Sequence, residues 1–248
     1  SKISDALDKA DRERQKGEQG TGDRPESAAE LGGSLSSDLD ASAWREFGMM
    51  RNLIESQLAG RKFRSLVFSS ATSGEGVSTV TANFAKTLAD DPMVNVLVVD
   101  ANPQGAVQHA LFGLDNTVGF IEFAGGSFRL EDAIKQTSRK NLSVVTSGTA
   151  TGGMFQLLGT GRVSDFIRAL QPRFHYLLFD APPVLSYPET AVLGSHTDGV
   201  LLVIRALSTR REAVLRARDT LQKSGCNMVG VVLNRYKFSV PEFIYKRV

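Results

Sequence analysis

The chain lacks the residues that would lock it together covalently or carry it through a membrane. It has a single cysteine, Cys226, among 248 residues. That excludes an internal disulfide and reads as a small buried apolar residue in a reducing compartment. No apolar run approaches the roughly 20 residues that span a bilayer. The opening stretch, "SKISDALDKADRERQKG", has no apolar centre of the kind a secretory signal carries. The expectation is a cytoplasmic chain, with any connection to a membrane made through a partner. Charge of one sign is missing too: a net +2 is too near balance to argue for nucleic acid. The three histidines, His109, His175 and His196, show no metal-ligand spacing, and no Ser–His–Asp or Cys–His arrangement can be argued from spacing.

What is present suffices for one substantial core, since 42% of the residues are hydrophobic and open α/β sheets of this length are commonly one domain. Residues 3–16 place Ile3, Ala6, Leu7 and Ala10 at helical spacing, which predicts a short amphipathic helix with a narrow apolar stripe. Residues 17–40 are rich in Gly, Ser and acidic residues and read as a flexible linker. The chain therefore divides into 1–40, a short helix and linker, and 41–248, the folded domain. In the latter, apolar strands at 64–70, 94–100, 141–148, 176–180, 199–206 and 228–234 alternate with helices at 41–59, 78–90, 163–171, 188–194 and 208–224. Continuous Val/Leu/Ile strands between amphipathic helices predict an α/β fold: a doubly wound, mainly parallel sheet covered on both faces. Phe47, Met49, Met50 and Leu53 give the first of these helices an apolar face expected to pack on the sheet. Arg210, Arg211, Arg216 and Arg218 make the last one basic, by default a solvated face rather than an interaction surface.

Ligands on such sheets bind at the carboxyl ends of strands, and the chemistry-bearing residues fall there. "ATSGEGVST", 71–79, follows the first strand with the spacing of G-x-x-x-x-G-K-[ST], carrying Ala71 for the first glycine and Val77 for the lysine. Gly74 and Gly76 let the backbone wrap a phosphate, and the helix beginning near Ser78 and Thr79 turns its N–H groups toward an anion. Ser78 falls where a hydroxyl would ligate magnesium. Asp100 and Asp180 each end a buried strand in a carboxylate; two of these beside a phosphate loop imply an inherited Mg–nucleotide site. Val77 brings neither charge nor donor. The electrostatic stabilisation a lysine supplies there is typically worth about 3–4 kcal/mol per donor lost, so rapid phosphoryl transfer is not expected.

Across 41–235 the stretches "SSATSGEGVSTVTANFAKTLA", "VLVVDANPQGAVQHALFGLDNTVGF", "LEDAI", "YLLFDAPPVL", "GVLLVIRALSTRREA" and "VGVVLN" carry a family resemblance. The chain resembles the bacterial tyrosine autokinases of capsule and exopolysaccharide export, the CpsD/CapB-like group within the MinD/ParA-like P-loop ATPases. The resemblance implies a nucleotide loop over Gly74, Glu75, Gly76, Val77, Ser78 and Thr79, with Asn234 near the adenine. It implies magnesium at Ser78, Asp100 and Asp180, with Asp100 the one catalytic candidate if the chain is active. It also implies ATP or ADP with Mg as cofactor, self-association, and a membrane partner of the chain-length-determinant (polysaccharide co-polymerase) type.

Departures run through the same motifs. The kinase-specific D-x-D-x-R reads "DANPQ", with Asn102 and Gln104 for the second acid and the arginine. The ring-assembly pattern E-x-x-R-x-x-R meets Arg45, Gly48 and Arg51, of which only Arg51 fits. The family's tyrosine-rich tail is reduced to Tyr236 and Tyr245. The expectation is a degenerate member holding nucleotide weakly or not at all, a regulator or scaffold recruited to the inner face of the membrane. The alternative is a slow autokinase or ATPase using another cation, such as an arginine from a neighbouring subunit. A positioning ATPase of the MinD kind fits less well, because Thr72 stands where such proteins carry a further loop lysine.

Overall fold

A computed structural model of the chain describes residues 41–126, 129–149 and 162–235. The predicted terminal helix, the linker, Tyr236 and Tyr245 lie outside the described residues. Helix α1 (Ala41–Gln57) leads into strand β1 (Arg64–Ser70), helix α2 (Val77–Leu88) and strand β2 (Val96–Asp100). A 3-10 turn at Pro103–Gly105 and three short helices follow, α3 (Gln108–Phe112), α4 (Phe120–Ala124) and α5 (Leu130–Ala133). Next come β3 (Ile134–Gln136), β4 (Leu142–Val145), α6 (Arg162–Leu170), β5 (Tyr176–Asp180) and α7 (Glu189–Ser195). The chain then forms β6 (Gly199–Arg205), α8 (Arg211–Lys223) and β7 (Met228–Asn234).

The seven strands lie in the order β3-β4-β2-β5-β1-β6-β7. Every pairing is parallel except β3 with β4, which is antiparallel. Alternate strand residues feed two cores, as period-two side-chain direction requires. Val67, Leu97, Leu177 and Phe179 pack on one face with Val163, Phe166, Leu170, Leu193, Val214 and Leu221 of α6, α7 and α8. Leu66, Phe68, Val96, Val98 and Leu178 pack on the other with Ile54, Val80, Phe84 and Leu88 of α1 and α2. The sheet is therefore doubly wound, and its strands read as unbroken apolar runs because both faces are covered.

The structure corrects several sequence-based expectations. The apolar face of α1 is Phe47, Met50 and Ile54, continued by Leu58 in the turn just past its end, at steps of three and four residues; Met49 and Leu53 fall outside that stripe and are 52% and 55% exposed. Arg51 on the same helix turns back to Glu55 at 2.9 Å and Asp91 at 3.6 Å. Tyr176 Oη donates to Glu55 at 2.7 Å, fastening α1 to β5. The last helix starts at Arg211 rather than 208, because residues 206–210 form a loop with Leu207 at φ 62°. Cys226 is buried as expected, its thiol donating to the Ala191 carbonyl at 3.2 Å and pushed up to about 11 by burial.

A candidate nucleotide site at the carboxyl edge of the sheet

Asp180 sits between the two other parts of the site because β5 is inserted between β1 and β2. The chain leaves β1, crosses over to β2 and later returns to fill the gap. The register sets Asp100 directly beside Asp180 and Phe68 of β1 on the other side of it. The phosphate loop thus opens next to two carboxylates from successive parallel strands, at the point where ligands bind on such sheets.

The loop has the backbone the spacing predicts. Gly74 and Gly76 take φ of 81° and 84°, a region that glycine enters without steric cost. Gly76 precedes α2, and no side chain caps that helix, so the amides of Val77, Ser78 and Thr79 stay available to an anion. Asn234, at the end of β7, donates its Nδ2 to the Glu75 carbonyl at 2.9 Å. A Cβ on Gly76 would lie 2.1 Å from that Nδ2. Gly76→Ala is expected to cost about 2 kcal/mol through left-handed strain and this collision. Chemical denaturation checks the value, and adding Asn234→Ala should recover only the part due to the collision.

Glu75 is not a phosphate contact. Its carboxylate is 3% exposed and accepts from the Thr72 hydroxyl at 2.6 Å, the Ala71 N–H at 3.3 Å and the Thr209 hydroxyl at 3.0 Å. Burial pushes its pKa up against those hydrogen bonds. It closes the loop on itself and ties it to the segment after β6. Val77, at the lysine position, is half-buried and packs against the core beneath α2.

The acids are fully buried. Asp100 accepts from the amides of Asn102 at 3.2 Å, Val107 at 3.2 Å and Gln108 at 3.0 Å. Burial and the Asp180 charge nevertheless raise its pKa well above the ordinary value. Asp180 is pushed up to about 6 by burial, with the side chains of Gln108 and Ser78 holding it partly down. Gln108, which sequence reasoning missed, is central here. Its Nε2 donates to Asp180 Oδ2 at 2.8 Å and to the Ser78 carbonyl at 3.1 Å, so a neutral amide bridges the acid and the loop. Asp180 Oδ1 and Gln108 Oε1 are buried with no partner among the described residues. Nothing in the spacing marked Gln108; it follows a short turn that only the fold brings back under the loop.

Ser78, Asp100 and Asp180 thus come together, Asn234 braces the loop from the far side, and Asn102 and Gln104 line the turn after β2. Ser78 and Asp180 themselves offer oxygens, the chemistry that suits magnesium; Gln108 Nε2 occupies Asp180 Oδ2, and the unpaired Asp180 Oδ1 is the ready ligand. Among the described residues there is no group of three or more His, Cys, Asp or Glu that could hold a metal, so a cation here would depend on Ser78 and on the nucleotide. No helix of the described residues is long and apolar enough to cross a membrane.

Comparison with known proteins agrees with this architecture. Residues 66–242 match the CobQ/CobB/MinD/ParA nucleotide binding domain. Tyrosine-protein kinase YwqD of Bacillus subtilis (strain 168) is 29% identical over 194 residues, covering 78% of this chain and 81% of the relative. Among solved structures, the BceF tyrosine kinase domain superposes with a TM-score of 0.70 at 25% identity, covering 83% and 85% of the two chains. The septum site-determining protein MinD of Pyrococcus horikoshii OT3, complexed with Mg-ADP, shares the fold with a TM-score of 0.62 at 23% identity over 74% and 76%. The chain belongs to the CobQ/CobB/MinD/ParA nucleotide-binding domain family and resembles, within it, the bacterial tyrosine-protein kinases.

Proposed function

We propose that this chain is a catalytically degenerate member of the tyrosine-autokinase group. It serves as a regulator or scaffold of exopolysaccharide or capsule assembly, at the inner face of the membrane, through a partner of the chain-length-determinant type. The observation that carries the reading is Val77. At the head of α2 it packs into the core and offers no cation to a triphosphate or to charge developing during transfer. Two features support it. The bridge between Asp180 and the loop is the amide of Gln108, and the turn after β2 carries Asn102 and Gln104 in place of an acid and a base.

ATP or ADP would lie on the free amides of 77–79, with magnesium held by Ser78, Asp180 and Asp100. The metal would neutralise the two carboxylates and the phosphates together. Gln108 can serve that state as well, since its unpaired Oε1 is an acceptor. This retained oxygen set favours a second reading, a slow autokinase, over loss of the site altogether.

Incubating the full chain with ATP and Mg separates the two. No phosphotyrosine and no ADP release above the buffer rate are expected; phosphotyrosine formed at the rate of YwqD under the same conditions overturns the proposal.

A further inference from the structure

β1 has Asp180's strand on one side and β6 on the other. The acids lie on the β5 side of the phosphate loop. On the β6 side lies a different environment: a cavity of about 410 Å³ between the loop residues Thr72 and Ser73 and the segment after β6, lined by Arg205, Arg210 and Arg216. Ala213 is its one apolar contributor, and Ser208 and Thr209 add hydroxyls. Its single acid, Glu75, has its carboxylate occupied by three donors, so Arg210 and Arg216 meet no uncommitted carboxylate in the lining.

The cavity is held in shape. Thr209 accepts from the Arg205 N–H at 2.9 Å and donates to Glu75, which locks the β6–α8 segment to the phosphate loop. Leu207 in that segment holds φ 62° while 47% exposed; left-handed backbone at a non-glycine residue is strained and gathers at functional sites. The charge placement is costly as well. Arg210 is the N-cap at the positive end of α8, whose 13 residues begin with no side-chain cap, and Arg216 follows in the second turn. Cations belong at the other end of a helix, and an anion belongs at this one. Neither Arg210 nor Arg216 has an ion-pair partner among the described residues, whereas Arg218 on the same helix pairs with Asp219 at 2.7 Å.

We propose that this cavity is a binding site for a phosphate monoester dianion, separate from the nucleotide face of the loop. Arg210 and Arg216 grip the phosphate, Arg205 backs them from the end of β6, and the Ser73 and Ser208 hydroxyls complete the shell. The planar guanidinium forks suit a tetrahedral oxyanion. With Ala213 the one apolar side chain in the lining, the phosphate, not the group it esterifies, supplies the recognition. The site goes beyond the degenerate-kinase reading and does not depend on it. Its phosphate can come from a phosphotyrosine or from a mononucleotide, which present the same head group.

Calorimetric titration of the full chain, without magnesium, tests the site with phenyl phosphate, AMP and inorganic phosphate as probes. Saturable binding of phenyl phosphate or AMP is expected, weakened at least tenfold in the Arg210→Ala/Arg216→Ala double variant. Both arginines are exposed, so the variant should keep the parent melting temperature. Binding should be unchanged in Arg218→Ala, which removes the same charge from the same helix outside the cavity lining. Preference for phenyl phosphate assigns the site to phosphotyrosine and preference for AMP to a nucleotide. Absence of saturable binding for all three probes overturns the proposal. So does binding that survives the arginine double variant or is lost equally in Arg218→Ala. None of these readouts involves phosphoryl transfer, so the outcome stands apart from the ATP–Mg test.

Discussion

Replacing Val77 with lysine is expected to raise the affinity for ATP–Mg at least tenfold and still yield no phosphotyrosine. The first half follows from placing one cation at the head of α2. A charge-assisted hydrogen bond to phosphate contributes about 1.5–3 kcal/mol net, a factor of ten to a hundred or more. Withdrawing Val77 from its half-buried seat against the core costs about 1 kcal/mol. A lysine at the positive end of a helix is unfavourable by a further few tenths. The unliganded variant should therefore melt a few degrees lower than the parent and recover when ATP is added. The second half follows from the turn after β2. Asn102 brings no negative charge to magnesium, and Gln104, which is exposed, brings no cation. The triple variant Val77→Lys/Asn102→Asp/Gln104→Arg should release ADP measurably. Turnover in Val77→Lys alone would show that only the cation had been lost. No gain in affinity in that variant would show that the loop no longer receives a triphosphate at all.

Much of this could be read from the sequence, for a physical reason. Strands buried on both faces must be continuous apolar runs, so β1, β5 and β7 match their predicted limits, and Asp100 and Asp180 stand out as charges ending such runs. Their adjacency was not legible. It depends on β5 slipping between β1 and β2, a choice made by crossover connections rather than by any local pattern. The short helices α3, α4 and α5 escaped because four or five residues are too few to display a 3.6-residue period. Gln108 escaped with them. The basic helix shows the same limit from another side: Arg210 and Arg216 belong to one charged stretch with Arg211 and Arg218, and only the fold separates those facing the phosphate loop from those facing solvent. Glu75 looked like a loop residue near phosphate. Its burial against Thr72 and Thr209 needed the β6–α8 segment, which is 134 positions away at Thr209.

The buried acid pair makes the second large prediction, one of stability. Asp180 titrates near 6 in the folded chain against an ordinary 3.8, and Asp100 is raised as well. A carboxyl whose pKa rises on folding favours the fold in its protonated form. That stability is fully present below the unfolded value near 3.8 and is lost as the pH climbs through about 6. The unliganded protein should therefore melt higher at pH 5 than at pH 7.5. Asp180→Asn removes the penalty, since an amide oxygen in the place of the present Oδ2 can still accept from Gln108. It should stabilise the protein at pH 7.5 by about 2 kcal/mol, or roughly 5 °C in a domain of this size, and flatten the pH dependence between 5 and 7.5. A melting curve unchanged by the substitution would mean that the pair already shares its charge with something else. The same ledger explains why such a pair persists. Two carboxylates that oppose the empty fold at neutral pH are compensated when a divalent cation enters with a nucleotide, so Mg–ADP should raise the melting temperature of the parent more at pH 7.5 than at pH 5, and should lose most of that advantage in Asp180→Asn.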